Sequence, residues 1–522
     1  MSSPASKSPE LSDKSKKYDR QIRLWGEHGQ ALLENSNVCL INVSAVGAEI
    51  LKSLVLPGIG GFTIVDGSVV TDEDTGSNFF LDLASVGLPK AKCCMQLLQE
   101  LNPDVNGDYV DENVDVLLSN RPDFFQTFDV IIATSISEKT LVNLSIKLWE
   151  DNIPFFYCRS LGFLGSARLQ IKEHCIVESH PDNKQSDLRL ENPFPSLKEH
   201  LNRTNLSTKI PWLVVLYKYL QIWKETNQKD YPNTYKEKNE LKELIRSGMK
   251  GEEENYEEAI KAVNSSFGGA QIHNSLQTIL NDESCMNLNK KSDVFWIMVR
   301  ALKDFIHLDN NGQLPVSGVL PDMTADSESY INLQNVYRQQ AMHDADIVYR
   351  RCQEMLKELG LPGELISEKS VKLFCREANG ISIIRGTKIE DEYEKANNIA
   401  ALVQGLETPG SLIEHYVALR AFEKFQTEYG HIPGECHVET DTARLKSVGG
   451  KLLTEWGVHN PLSDDLVHEI CRYGGAEVHT VSAFIGGCVA HEMIKVITKQ
   501  YKPIDNTFLY NAITSETATY KI

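Results

Sequence analysis

One strand–helix–strand pattern near the start of the chain constrains its fold more than any other feature. Residues 38–43 form a short apolar run rich in β-branched side chains, which is typical of a buried parallel strand. After a turn at 44–47, four apolar residues recur at helical spacing: Ile50, Leu51, Leu54 and Val55. Segment 57–61 breaks the helix, and 62–65 begins a second strand. The pattern predicts a βαβ unit of a Rossmann-like α/β domain.

The turn after the first strand is where such a domain binds phosphate, and here that turn is altered. The usual motif is GxGxxG, in which two glycines let phosphate approach the backbone and the third lets helix and strand pack closely. Those positions are Asn42, Ser44 and Gly47. Because only the packing glycine remains, we expect an intact fold with a degenerate nucleotide site.

Asp66 ends the second predicted strand, 19 residues after Gly47. A carboxylate at this position can bind a ribose hydroxyl in a nucleotide-binding domain. A lone aspartate at a strand end is also a common structural feature. Since the phosphate turn has lost its glycines, the structural interpretation of Asp66 is favoured.

The α/β pattern is interrupted by a long, helix-rich middle region. We predict a disordered polar tail at 1–16, the first part of an α/β domain at 17–175, a mostly helical insertion at 176–467, and the rest of the α/β domain at 468–522. The apolar stripes of the middle region indicate packed helices rather than cofactor sites.

Three further segments support this organisation. Residues 129–133 (DVIIA) predict another parallel strand, and residues around 508–510 and 518–520 predict a closing strand pair. Between them, 481–497 carries an apolar helical face that contains Gly486 and Gly487. Because glycine weakens a helix, this pair predicts close packing against another element.

Composition excludes several classes of protein. The net charge of −19 over 522 residues argues against a nucleic-acid-binding protein, which needs a basic face. The polar start of the chain has no signal-peptide core, and no apolar run approaches the roughly 18 residues of a membrane span. The 11 cysteines contain no CxxC pair, so we expect no zinc site of usual spacing and reduced thiols in the cytoplasm and nucleus.

Four segments resemble the activating enzymes of ubiquitin-like proteins, which have a ThiF-type adenylation fold. They are 18–26 (YDRQIRLWG), 49–60 (EILKSLVLPGIG), 79–81 (FFL) and 87–91 (GLPKA). This resemblance implies a chain that acts in ATP-dependent adenylation of a ubiquitin-like protein.

Further segments narrow the resemblance within that family. Residues 178–183, 187–190, 234–238 and 471–474 are similar to the regulatory, inactive-half subunits of neddylation-activating enzymes. The insertion then corresponds to a catalytic-cysteine domain without its cysteine. The resemblance implies three partners: a catalytic subunit, the ubiquitin-like protein of neddylation and, through the heterodimer, a conjugating enzyme.

The resemblance also implies a pseudo-active site. Active members carry an asparagine, an arginine and a glutamine where this chain has Ser77, Asn78 and Phe79. Lys90 matches their lysine, but 134–138 lacks the aspartate that would hold magnesium. Adenylation requires neutralised phosphate charge and an aligned carboxylate. We therefore expect ATP and Mg²⁺ on the partner and no cofactor on this chain, with Lys90 a relic or a surface cation.

The thioester cysteine of the family is also missing by motif. Cys436 is followed by His437, and a histidine can lower a thiol pKa. Adjacent residues of an extended segment point to opposite sides, however, so this pair does not indicate a nucleophile.

Arg20 is the residue to which the resemblance gives an active role. It would reach across the heterodimer to ATP phosphates in the partner's site, as an arginine acting in trans. Spacing alone favours the simpler interpretation that Arg20 and Arg23 face solvent on a short helix. The resemblance reverses that preference for Arg20 and not for Arg23.

Other functions remain open from the residues. A self-sufficient adenylating enzyme is disfavoured by the lost site residues, and a nicotinamide-dependent oxidoreductase by Asn42 and Ser44. A pure interaction scaffold overlaps with the regulatory-subunit interpretation. Within the family, the small subunit of the SUMO-activating enzyme resembles this chain only at its two ends. The single-chain ubiquitin-activating enzyme carries a similar inactive half but continues into an active half.

Overall fold

The computed structural model describes residues 16–181, 186–268, 272–395, 399–435, 437–458 and 462–522. The predicted tail at 1–16 therefore lies outside the described residues except for its last position. The chain divides into two compact units. Unit 1 combines Met1–His174 with Ile384–Ile522, and unit 2 is Cys175–Ile383.

The first part of unit 1 alternates strands and helices. In chain order its elements are α1 (Asp19–Glu34), β1 (Asn37–Ile41), α2 (Ala45–Val55), β2 (Gly61–Val65), α3 (Asp72–Ser77), α4 (Lys90–Glu100), β3 (Asn106–Val110), α5 (Val114–Asn120), β4 (Val130–Thr134), α6 (Glu138–Glu150), β5 (Phe155–Leu161) and β6 (Leu164–Gln170). Short 3₁₀ turns lie at Leu83–Ser85 and Pro122–Thr127.

Unit 2 is mostly helical, and the short strands at its two ends each include one residue of unit 1, His174 and Ile384. Its elements are β7 (His174–Ile176), α7 (Pro195–Arg203), α8 (Trp212–Asn227), α9 (Tyr235–Ser247), α10 (Glu254–Ala262), α11 (Asn274–Leu280), α12 (Glu283–Met286), α13 (Val294–Asp304), α14 (Ser327–Leu359), α15 (Glu368–Glu377) and β8 (Ser382–Ile384). Strands β7 and β8 form a small sheet of their own. The apolar stripes of α8 and α13 are buried in two separate hydrophobic clusters, as expected for packed helices.

The last part of unit 1 adds helices and closes the sheet. It contains α16 (Ile389–Lys395), α17 (Ile399–Glu407), α18 (Ile413–Tyr429), α19 (Val438–Glu455), α20 (Asp464–Tyr473), α21 (His479–Thr498), β9 (Thr507–Asn511) and β10 (Glu516–Tyr520). The predicted closing strand pair is confirmed, since β9 and β10 pair antiparallel.

Unit 1 is built on one eight-stranded sheet with the order β10-β9-β6-β5-β4-β1-β2-β3. Strands β1 to β5 run parallel, and β6, β9 and β10 extend the sheet antiparallel. Four of the five residues of β1 are buried and all of β4 is buried, because both faces of the parallel part are covered. The predicted βαβ unit and the predicted strand at 129–133 are therefore confirmed.

Helix α21 packs directly on α2 at a glycine. A Cβ added at Gly486 would lie 2.7 Å from the Cβ of Glu49, whereas at Gly487 it would meet nothing within 4 Å. The predicted close packing is thus confirmed for Gly486 and wrong for Gly487.

Helix α21 differs from the expectation that no apolar segment of the chain approaches the length of a membrane span. Among the described helices, it is the one long and apolar enough to span a membrane by length and composition, with a mean hydropathy of 1.3. Half of that segment is buried, including Val489, Ala490 and Met493 in the core around α2. This burial is typical of the core helix of a folded domain.

The helical insertion differs from its predicted bounds at the second end. Unit 2 ends at Ile383, whereas the predicted insertion runs to 467. Helices α18 to α20 share one hydrophobic cluster with Leu161 and Leu164 of the sheet and with Leu509 of β9. The described residues between 384 and 467 therefore fold with the α/β domain, although their pattern is helical.

A buried ionic network also ties this region to the sheet. We call it the arginine–glutamate network; it comprises Arg159, Arg168, Arg420, Glu392 and Glu423, all at most 5% exposed. The Arg168 Nε lies 2.7 Å from Glu392, and the Tyr157 hydroxyl donates to Glu423 at 2.8 Å. The network links β5 and β6 to α16 and α18.

Candidate functional site

The degenerate phosphate turn lies at the carboxyl end of β1, next to the ends of β2 and β4. Asn42 occupies the first glycine position with φ +66°, the left-handed conformation that favours glycine. Its side chain donates to the backbone oxygens of Thr134 and Ser135 at 2.9 and 3.1 Å. Asparagine therefore keeps the turn's conformation while its amide ties β1 to the end of β4.

Ser44 and Gly47 organise the start of α2. Ser44 is the N-cap residue, and its hydroxyl accepts a hydrogen bond from the Gly47 amide at 3.2 Å. A Cβ added at Gly47 would lie 2.9 Å from the Cδ1 of Leu40, so this position requires glycine for packing. One of the amides that a phosphate would need is thus already bonded within the helix cap.

A second internal acceptor at the same helix end is Glu477, which the sequence did not identify. Its Oε2 accepts a hydrogen bond from the Ala45 amide at 2.6 Å. The residue lies in the loop between α20 and α21, 432 positions from Ala45. Burial raises the pKa of Glu477 to about 7, although the amides of Ala45 and Val46 and the charge of Arg159 favour the ionised form.

Asp66 is a structural carboxylate in this site. Its Oδ2 accepts from the Val43 amide at 2.7 Å, and its Oδ1 accepts from the amide and the hydroxyl of Ser68 at 2.8 and 2.6 Å. The side chain is 5% exposed. Both oxygens that could bind a ribose therefore hold the backbone around the turn.

Asn78 and Lys90 lie in the neighbouring loop region. Asn78 is buried at the end of α3, and its Oδ1 accepts from the Phe80 amide at 3.0 Å. Lys90 begins α4 and forms an ion pair with Asp74 at 2.9 Å, with 13% of its side chain exposed. The expectation that Lys90 is a surface cation is therefore wrong, because it is largely buried against a carboxylate.

Arg20 and Arg23 differ in their surroundings, although they share α1. Arg23 is paired with Asp19 at 2.8 Å, one helical turn away. Arg20 is exposed and has no hydrogen-bond or ion-pair partner within the described part of the chain. Of the two arginines, Arg20 is the one whose guanidinium is available to another molecule.

The thiols of the described residues lie mostly inside the protein. Eight of the ten described cysteines are buried, and Cys175 and Cys488 are partly buried. Burial raises the pKa of Cys285 to about 11 and that of Cys352 to about 12. Cys436, the cysteine considered beside His437, lies outside the described residues.

The chemistry of the described site is that of a filled turn rather than an open nucleotide cradle. The amides of the turn are bonded to Ser44, Asp66 and Glu477, and Lys90 is paired with Asp74. Over the described ranges there is no group of three His, Cys, Asp or Glu side chains placed to hold a metal ion.

The sequence located the turn, Asp66, Asn78 and Lys90 but missed Glu477. Its only local signal is a glutamate after a Tyr-Gly-Gly loop, which is a common surface pattern. Its role depends on a long-range contact that no spacing rule contains.

Comparison with known proteins places the chain in a family. Residues 18–522 match the ThiF family. The chain is 62% identical to the Nedd8-activating enzyme E1 regulatory subunit of Drosophila melanogaster, over 100% of both chains. It is 45% identical to the subunit of that name in Xenopus laevis, covering 98% of this chain and 99% of the relative. A relative from Arabidopsis thaliana, NEDD8-activating enzyme E1 regulatory subunit AXR1, is 38% identical over 98% of this chain and 97% of its own length. The chain therefore belongs to the ThiF family and, within it, to the NEDD8-activating enzyme E1 regulatory subunits.

Proposed function

We propose that this chain is the non-catalytic half of a heterodimer that activates NEDD8. Its catalytic-subunit partner would hold ATP and Mg²⁺, adenylate the NEDD8 carboxylate and carry the cysteine that forms the thioester. This chain would supply a scaffold, part of the binding surface and one arginine acting in trans.

The filled turn at the start of α2 carries this proposal. Ser44 and Glu477 accept hydrogen bonds from α2 amides, and Asp66 accepts one from Val43. Adenylation needs free donors and a magnesium carboxylate around the triphosphate. Because these donors are used internally, the chain is poorly suited to bind ATP by itself.

The contribution in trans is assigned to Arg20. An exposed guanidinium without an internal partner can reach a phosphate of another subunit without breaking existing bonds. Arg23 would first have to leave Asp19. These surroundings support Arg20 over Arg23 as the arginine that stabilises negative charge on the partner's nucleotide.

The thiols support a nucleophile on the partner. A cysteine that attacks an adenylate must be accessible and readily ionised. Most described thiols are buried, and burial raises their pKa. We accordingly assign the thioester to the catalytic subunit.

The remaining partners and the location of the protein follow from this assignment. NEDD8 would bind the heterodimer, and a conjugating enzyme would be recruited through it. The reduced thiols of this acidic chain suit the cytoplasm and nucleus.

The direct test of the filled site is calorimetric titration of the isolated chain with ATP and Mg²⁺. We expect no binding in the micromolar range for the chain alone and clear binding for its purified complex with the catalytic subunit. Micromolar ATP binding and ATP–pyrophosphate exchange by the isolated chain would instead indicate a self-sufficient adenylating enzyme.

A further inference from the structure

The start of α2 leaves almost no backbone amide free for a ligand. The Asn42 amide donates to Val65 O, the Ser44 amide to Asn42 O and the Ala48 amide to Ser44 O. The side chains of Asp66, Glu477 and Ser44 accept from three further amides: Val43, Ala45 and Gly47. Free amides at a helix N-terminus are what make it an anion site, so these acceptors stand where phosphate oxygens would be bound.

Among these acceptors, Glu477 is the one that comes from a distant part of the chain. Its Oε2 accepts from Ala45, and the amide of Val46 and the hydroxyl of Ser44 also favour its ionised form. Its other oxygen, Oε1, is shut off from solvent and accepts no hydrogen bond from the described residues. A carboxyl group with one oxygen on the helix amides and the other buried therefore takes the place of an external ligand at the start of α2.

The loop that carries Glu477 is itself held in place. Residue 162 pairs with Glu477 in an isolated parallel bridge, and the Gly162 amide donates to Ala476 O at 2.8 Å. A Cβ added at Gly162 would lie 2.3 Å from the ring of Tyr473, so the Gly162 backbone packs directly against that side chain. Because the carboxylate is delivered by a fixed loop, an external anion would have to compete with an intramolecular one.

We propose that the Glu477 carboxylate is the permanent occupant of the phosphate cradle and that it excludes phosphate-bearing ligands from this chain. The proposal rests on the proposed role as the non-catalytic half and names the group responsible. On this view, the turn keeps its conformation without the two glycines, and Glu477 occupies it. A heterodimer would then bind one ATP, in the partner's site.

Substitution of Glu477 in the full-length chain tests the proposal. Glu477→Ala removes the carboxylate and exposes the Ala45 amide, so inorganic phosphate and pyrophosphate should bind about tenfold or more tightly than to wild type. Glu477→Gln keeps an oxygen acceptor of the same size and should still exclude them. Binding is measured by calorimetry, and by the rise in unfolding midpoint that each anion produces.

Two further variants test whether exclusion of phosphate depends on Glu477 rather than on the turn residues or on buried carboxylates in general. Asn42→Gly restores the first cradle glycine at a position that already has positive φ, and with Glu477 present it should bind no phosphate. Asp441→Ala removes another buried carboxylate, which accepts from the Gly434 amide. Phosphate should not stabilise this variant, since its lost acceptor does not lie at the start of α2.

These outcomes test the proposal for Glu477 independently of the proposed role of Arg20. A folded Glu477→Ala chain without phosphate binding would overturn the proposal, as would phosphate binding by Asn42→Gly with Glu477 intact. If Glu477→Ala does not fold in plain buffer, refolding in phosphate or acetate should recover it, and failure in both anions would count against the proposal. Failure of the regulatory role would be seen separately, as pyrophosphate exchange by the wild-type chain alone.

Discussion

At the scale of single residues, the turn at the start of α2 is held by side chains that bond to its backbone and to the end of β4. Asn42 holds the conformation of a glycine while bonding Thr134 and Ser135. Asp66 and Glu477 accept from the amides around the turn. The turn therefore keeps the shape of a glycine turn while its polar groups are paired within the chain, which supports the proposal that it binds no nucleotide.

The titration of Glu477 gives a prediction at this scale. Its folded pKa, about 7, lies above the value of 4.5 for an unperturbed glutamate. The stability that a raised pKa contributes is fully present below the unfolded pKa and is lost as pH rises through the folded pKa. Relative to Glu477→Gln, wild type should therefore lose about 2–3 kcal/mol of unfolding free energy between pH 4.5 and 8.

Denaturant unfolding of both proteins across this pH range checks the prediction. Histidines that titrate in the same window are common to the two chains, so their effect cancels in the difference. A difference that does not change with pH would mean that Glu477 titrates normally in the folded protein.

Much of the residue-level site could be predicted from sequence, and the rest could not for a physical reason. The positions of Asn42, Ser44 and Gly47 follow from the βαβ spacing. The largely buried ion pair of Lys90 was not predicted, because its partner, Asp74, lies in a different helix. Glu477 could not be identified from the sequence because its partner amide, that of Ala45, is 432 residues away.

At the scale of elements, the packing of α21 on α2 depends on one glycine of an adjacent pair. Gly486→Ala would place a methyl group 2.7 Å from the Cβ of Glu49, and we expect a loss of about 1–3 kcal/mol from overpacking. Gly487→Ala is the matched control, since its Cβ meets nothing within 4 Å and alanine favours the helix by up to about 1 kcal/mol.

Unfolding midpoints of the two glycine variants should therefore shift in opposite directions. Equal shifts would mean that α21 and α2 leave room for a methyl group at Gly486.

The arginine–glutamate network makes a second prediction about elements. Glu423 accepts from the hydroxyls of Tyr157 and Tyr393 and lies 3.5 Å from Arg159. Glu423→Gln should destabilise unit 1 by about 3–5 kcal/mol, because buried arginines would lose their counter-charge. Glu455→Gln should cost at most about 1 kcal/mol, since its pair with Lys424 is exposed.

Thermal unfolding of these two variants measures the difference. Equal midpoints would show that the network is dispensable for joining α16 and α18 to the sheet.

At the scale of the whole molecule, sequence patterns gave the class of each unit but not the second boundary between them. The periodicity around 38–65 and at 129–133 is local, so it predicted the sheet correctly. The helices between 389 and 473 resemble those of unit 2 in pattern. Their attachment to unit 1 depends on the contacts of Glu423 and of the cluster around Leu161 and Leu509, which a single sequence does not reveal.

We propose that this chain has no working adenylation site and contributes an arginine to its partner's site. The most direct measurement is ATP–pyrophosphate exchange by purified heterodimers that contain Arg20→Ala, Arg20→Lys or Arg23→Ala, with assembly checked by gel filtration. Loss of one charge-assisted contact in the transition state costs about 2–4 kcal/mol. Exchange should therefore fall roughly 30- to 1000-fold in Arg20→Ala, recover partly in Arg20→Lys and remain nearly unchanged in Arg23→Ala. Wild-type exchange by an assembled Arg20→Ala heterodimer would contradict the account and leave this chain a scaffold alone.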